Sequence, residues 1–117
     1  MIGSTRAIRV FARAKPTDLR NGFDGLYGLV RNDLCRDPLD GDLYLFVNKR
    51  RKSAKILMWD GTGLCIYSKR LSRGCFACLW DQPPGEPVQL THAELSLFLE
   101  GAKLAQRFSK SPPEIRL

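Results

Sequence analysis

The chain has no apolar run approaching the ~20 residues that a membrane-spanning helix needs, so no transmembrane segment is expected. Its opening, MIGSTRAIRVFARAK, lacks an apolar stretch followed by small residues and does not read as a signal peptide. Both absences point to the cytoplasm, where the four cysteines (Cys35, Cys65, Cys75 and Cys78) are expected as free thiols. There is no GxxxxGK[ST] phosphate loop and no GxGxxG; Gly61-Thr62-Gly63 reads as a turn and not as a nucleotide cradle. Repeats and a second domain are also missing. The 117 residues fit one domain, expected over 1–108 with a disordered tail at 109–117.

Metal and catalytic signals are equally sparse. Cys75-Phe76-Ala77-Cys78 is a single CxxC, whereas a structural zinc site needs four ligands, usually from two such pairs. In an apolar, strand-like stretch these cysteines are expected to pack as small hydrophobes. The one histidine, His92, has no Ser or Cys nucleophile near it with a recognisable elbow and is expected as an exposed helix-start residue. Asp18 and Asp24 fall about 120° apart on a helix, so they do not share a face for two-metal chemistry. No catalytic residue, metal or cofactor is expected; a small metal-dependent nuclease is the minor alternative.

Acidic residues are almost absent from one stretch. Between Lys49 and Arg73 lie Lys49, Arg50, Arg51, Lys52, Lys55, Lys69, Arg70 and Arg73, against the single acid Asp60. This segment carries the whole formal net charge of +7, because the remaining 11 basic and 11 acidic residues cancel. Charge concentrated this way favours an anionic partner, nucleic acid being the commonest. The alternative is a solubilising surface.

With 44% apolar and 26% charged residues the composition is that of a folded domain rather than a disordered chain. Residues 6–12 (RAIRVFA) alternate as a short strand. Thr17 stands as a helix cap, with Asp18 at the positive end of the dipole. Leu19, Phe23, Leu26, Tyr27, Val30 and Leu34 then recur at helical spacing, predicting a helix over about residues 18–35 that Asp37-Pro38 ends. LYLFV (43–47), AKILMW (54–59) and residues 64–71 read as strands, with 75–79 as a possible fourth in an antiparallel meander. Asp60-Gly61-Thr62-Gly63 is the turn between the middle two. Thr91-His92-Ala93-Glu94 is a capping-box pattern with Leu90 and Leu95 placed as a staple, opening a short second helix. The fold class expected is α+β: a small antiparallel meander of about four to five strands, packed with one long N-terminal helix and a short C-terminal one.

Two surfaces emerge. Lys49 to Lys52 sit in a loop between strands, and Lys69, Arg70 and Arg73 follow the third strand of the meander. The meander brings both groups to one end of the sheet, where with Lys55 they would bind phosphates without reading bases. Gly22, Gly25 and Gly28 fall within the long helix, each costing roughly 1 kcal/mol against alanine. Gly25 and Gly28 lie roughly 150° from the apolar stripe, on a smooth outer face that a partner backbone could approach. The alternative is that the fold tolerates them.

The strings TDLRNGFDGL (17–26), DPLDGDLYLF (37–46), NKRRKSAKILMWDGTGLCIYSKRL (48–71) and LEG (99–101) resemble one family. It is the second-open-reading-frame accessory protein of insertion-sequence family sixty-six, labelled TnpB but distinct from the RNA-guided nuclease that shares the label. The resemblance covers roughly residues 6–102. It implies a role in transposition beside a separate transposase that carries the catalytic acids, and it supplies no catalytic residue. This chain departs from the pattern at Ser72, where an acid is usual, and at CFACLW, where a phenylalanine and a tryptophan-proline are usual; the two cysteines there lie outside the shared pattern. The expectation is a non-catalytic accessory protein binding DNA through its basic hairpin. The alternative is an adaptor docking on the transposase through Asp18, Arg20, Gly22, Asp24, Gly25 and Gly28.

Overall fold

The computed structural model describes residues 7–81 and 87–101. Along the chain the elements are β1 (Val10–Ala12), α1 (Phe23–Asn32), β2 (Leu43–Val47), β3 (Ser53–Trp59), β4 (Leu64–Arg70), β5 (Val88–Leu90) and α2 (His92–Glu100). The strands form one sheet in the order β4-β3-β2-β1-β5. The continuous apolar run of β2 is explained by its central place, since a strand covered on both faces needs no polar alternation. The expected boundary between residues 108 and 109 lies outside the described residues.

The sheet is mixed, which corrects the purely antiparallel expectation. β2, β3 and β4 form the antiparallel meander, but β1 runs parallel to β2, with Val10 beside Leu43 and Ala12 beside Leu45. A parallel pair needs a long crossover, and residues 13–42 with α1 supply it. β5, antiparallel to β1, was not foreseen: three residues between Pro87 and the cap Thr91 are too few to show a period. Residues 75–79, expected as a strand, form no ladder. They lie instead against the sheet, where Phe76 is fully buried and stacks on Phe98 with ring centroids 5.0 Å apart.

Strand alternation divides the core into two layers. Val10, Ala12, Leu45, Val47, Ala54 and Ile56 meet Phe76, Leu79 and α2 on one face. Phe11, Tyr44, Phe46 and Leu57 meet Leu26, Val30 and Leu34 from α1 and its C-terminal turn on the other. Leu26 and Val30 have no exposed surface, and each such burial stabilises by roughly 1.5–3 kcal/mol.

α1 starts five residues later than expected. Asp18 is the cause: its carboxylate accepts from the Arg20 N–H at 3.0 Å, while its carbonyl accepts from the Asn21 N–H and side chain. These local bonds offer the backbone a turn in place of a helix. Gly22, extended, becomes the N-cap and so is not an interior glycine. Nor does Thr17 cap a helix. It is buried, with its hydroxyl accepting from Arg13 at 3.1 Å and its N–H bonded to the Val47 carbonyl at 2.9 Å. At the other end Asp33 is the C-cap, and Cys35 adopts φ +57.

α2 begins as its sequence pattern indicates. The Thr91 hydroxyl accepts from the Glu94 N–H at 3.0 Å, and the Glu94 carboxylate accepts from the Thr91 N–H at 2.8 Å. Leu90 and Leu95 join the same core layer. His92 is exposed, yet its Nε2 lies 2.7 Å from the Ile8 carbonyl oxygen, tying α2 to the chain before β1. Among the described residues, no helix is long and apolar enough to cross a membrane.

Candidate nucleic-acid interface

Asn48 shapes the basic loop. Its Oδ1 accepts from the N–H groups of Lys52 and Ser53 at 2.9 and 3.1 Å, and its carbonyl accepts from the Arg51 N–H at 2.9 Å. The β3–β4 register then sets Ser53 opposite Arg70 and Ala54 opposite Lys69. The loop and the end of β4 therefore lie at one end of the sheet, as the meander requires.

The eight basic residues divide by what their side chains meet. Lys49, Arg50, Lys55 and Arg70 line an open groove of about 1100 Å³. Its other wall is the turn 16–20, which includes Arg20, and Ser53 and Ser68 contribute to its lining. Arg13 braces that wall, donating to the Pro16 carbonyl and the Thr17 hydroxyl at 3.1 Å each and ion-pairing with Asp33 at 2.7 Å. The Arg13 guanidinium holds the Asp33 carboxyl below its usual range.

Arg51, Lys52 and Lys69, the last of which also borders the groove, have their side chains bound to carbonyls. Arg51 donates to Phe76 O at 3.0 Å, Lys52 to Gly74 O at 3.1 Å and Lys69 to Leu99 O at 2.6 Å. They strap the segment after β4 and the end of α2 to the sheet. Arg73 is exposed and does not line the groove. Among the described residues, no carboxylate or carbonyl holds the side chain of Lys49, Arg50, Lys55 or Arg70. Arg20 does have a partner: Asp18 pairs with it at 2.7 Å, and these hydrogen bonds bring the Asp18 carboxyl down to about 2.

The residues read as a partner-docking set also separate. Asp18 and Arg20 border the groove, and Asp24 is exposed in the first turn of α1. A Cβ on Gly25 would come within 2.4–2.8 Å of the Asn21 side chain, so that glycine makes room for its own chain's turn. On Gly28 a Cβ would meet nothing closer than the Asn32 amide at 3.9 Å.

At the opposite end of β2, a second polar cluster escaped sequence reading. Asp42 is fully buried, accepts from the Arg9 N–H at 3.0 Å, and pairs with Arg9 and Arg36 at 3.2 and 3.4 Å. Tyr44 donates to Asp40 at 2.7 Å, and burial, then that bond, pushes its phenol above the ordinary range. The Arg36 guanidinium also lies 4.0 Å over the Phe11 ring. Among the described residues, no three His, Cys, Asp or Glu side chains gather as a metal site, and all four cysteines are free thiols.

The geometry defines a small α+β protein with a basic groove at the loop end of a hairpin. The chain belongs to the IS66 Orf2-like family, whose model matches residues 8–108. It is 36% identical over 101 residues to the uncharacterized protein y4hO of Sinorhizobium fredii (strain NBRC 101917 / NGR234), an alignment covering 86% of each chain. To y4jC of the same strain it is 33% identical over 101 residues, covering 86% of this chain and 85% of that one. No solved structure matches. Family membership associates the chain with an insertion-sequence element.

Proposed function

We propose that this protein is a non-catalytic accessory factor of insertion-sequence transposition, acting in the cytoplasm and binding DNA phosphates in the groove between the 16–20 turn and the β3–β4 hairpin. The observation that carries this reading is the set of four cations, Lys49, Arg50, Lys55 and Arg70, lining one groove with no acid or carbonyl among the described residues to hold them. Side chains kept charged and unpaired are suited to exchanging condensed counterions for phosphate. Backbone contacts of this kind position a protein on DNA without reading sequence.

Fluorescence-anisotropy titration with a labelled duplex across a salt series tests it. Neutralising Lys49 and Arg50 together should flatten the slope of log affinity against log salt by about two. Neutralising Arg51 and Lys52 should leave the slope in place, because their side chains are committed to carbonyls. An unchanged slope in the first variant removes the reading.

A second reading is favoured by the outer face of α1, where a Cβ on Gly28 would meet nothing closer than the Asn32 amide at 3.9 Å. This face would dock on the element's transposase. Co-purification of the two proteins, lost on Gly28→Trp while DNA affinity is retained, supports that reading, and retained co-purification opposes it.

A further inference from the structure

β3 and β4 carry one three-residue pattern in opposite directions: Ser53-Ala54-Lys55 and Ser68-Lys69-Arg70. The antiparallel register sets Ser53 across from Arg70 and Lys55 across from Ser68. Strand alternation puts all four side chains on the α1 face, the face of Leu57 and Ile66. Lys69, one residue out of phase, falls on the other face and goes to the Leu99 carbonyl.

The result is a checkerboard in which each cation stands across from a hydroxyl. Two cations directly opposite would repel; on the diagonal their Cα atoms are about 7–8 Å apart. All four residues line the groove, and their side chains make no hydrogen bond or ion pair among the described residues. A phosphodiester offers two anionic oxygens. One can take a charge-assisted bond from the cation and the other a bond from the hydroxyl across the ladder.

We infer that the pairs Ser53–Arg70 and Lys55–Ser68 are two phosphate seats on the groove floor, holding consecutive phosphates of one DNA strand. The inference rests on the groove being the DNA site and adds which atoms hold the strand. It also gives the two serines, which charge alone would pass over, a direct share of the binding.

Anisotropy titrations of the full chain with a labelled oligonucleotide, again across salt, separate the parts. Lys55→Gln and Arg70→Gln should each lower the salt slope by about one. Ser53→Ala and Ser68→Ala should each weaken binding about fivefold with the slope unchanged, since a neutral hydrogen bond is lost and no counterion is involved. Ser53→Thr and Ser68→Thr, which keep the hydroxyl, should bind like the parent. Inorganic phosphate, titrated against the backbone amide spectrum, should shift Ser53, Lys55, Ser68 and Arg70 only at concentrations far above those of the oligonucleotide, because it fills one seat at a time.

Alanine variants that bind like the parent overturn the inference. So does a slope that falls in the Lys49/Arg50 variant but not in Lys55→Gln or Arg70→Gln; that result leaves the DNA reading standing. If no variant changes the slope, both fall together. Thermal unfolding of each variant, expected to match the parent, guards against loss of fold.

Discussion

Lys69 donates its ammonium at 2.6 Å to the carbonyl oxygen of Leu99, 30 residues further along the chain. Leu99 lies in the last turn of α2, where helix carbonyls lack intrahelical partners, and α2 has no basic residue of its own there. β4 thus supplies the positive charge that the negative end of the helix dipole favours. Lys69→Met should lower stability by about 1.5 kcal/mol, the low end for a charge-assisted bond because this one is only partly buried. The same variant should keep the parental salt dependence of DNA binding. Urea denaturation checks the first expectation and anisotropy the second.

Arg51 occupies the left-handed region at φ +59, a conformation that costs a non-glycine residue roughly 1 kcal/mol. Its carbonyl accepts from the Phe76 N–H at 2.6 Å, and its guanidinium returns a bond to the Phe76 carbonyl. Arg51→Ala loses the returning bond and keeps the strain. Arg51→Gly loses the bond and relieves the strain. The glycine variant should therefore be the more stable of the two, by about 1 kcal/mol in chemical denaturation. Equal stabilities would mean that the loop carries no strain at this position.

Gly25 and Gly28 look alike in the sequence and differ in space. Gly28→Ala should stabilise by up to about 1 kcal/mol, since alanine favours the helix and the nearest atom is 3.9 Å from the new Cβ. Gly25→Ala must displace the Asn21 side chain and its 2.8 Å bond to the Asp18 carbonyl. It should destabilise and disturb the 16–20 wall. Thermal unfolding of the two variants should give shifts of opposite sign.

What the sequence made legible was local. Apolar runs located β2, β3 and β4, the Asp60 turn joined two of them, and the Thr91–Glu94 box marked the start of α2. The parallel pairing of β1 was hidden because it depends on where a 30-residue crossover lands, and a three-residue strand carries almost no period. The early helix boundary failed because an apolar stripe continues through Leu19, although the Asp18 side chain had already captured the backbone. For the basic segment, counting charge gathered the cations but could not sort them by what their side chains meet. Strand parity could have done so: Lys55 and Arg70 share a face, and Lys69 does not.

Asp60 holds its turn by accepting from the N–H groups of Thr62 and Gly63 and from the Thr62 hydroxyl, and these bonds bring its carboxyl to about 2. The folded value lies below the ordinary 3.8, so ionised Asp60 favours the folded state above that pH. The contribution should fade as pH falls from about 4 towards 2. Asp18, also near 2, behaves in the same direction. A carbon-detected NMR titration should find both carboxyls titrating near 2. Asp60→Asn should flatten the acid limb of the stability profile over that interval.

Asp42 anchors the end of the sheet opposite the groove. With no exposed surface, it satisfies the Arg9 N–H just before β1 and two guanidiniums, from Arg9 and Arg36. Asp42→Ala strips all three of an acceptor at once, and Arg36, with a quarter of its side chain exposed, cannot turn fully to water. The cost should be about 3 kcal/mol, at the low end for a broken buried pair because both arginines retain some solvent. Arg9→Ala should cost less than about 1 kcal/mol, since that side chain is 46% exposed. The inequality between the two in chemical denaturation is the test. Equal losses would mean that Asp42 serves Arg9 alone, and that the Arg36 guanidinium over Phe11 is held by the ring and Asp40 instead.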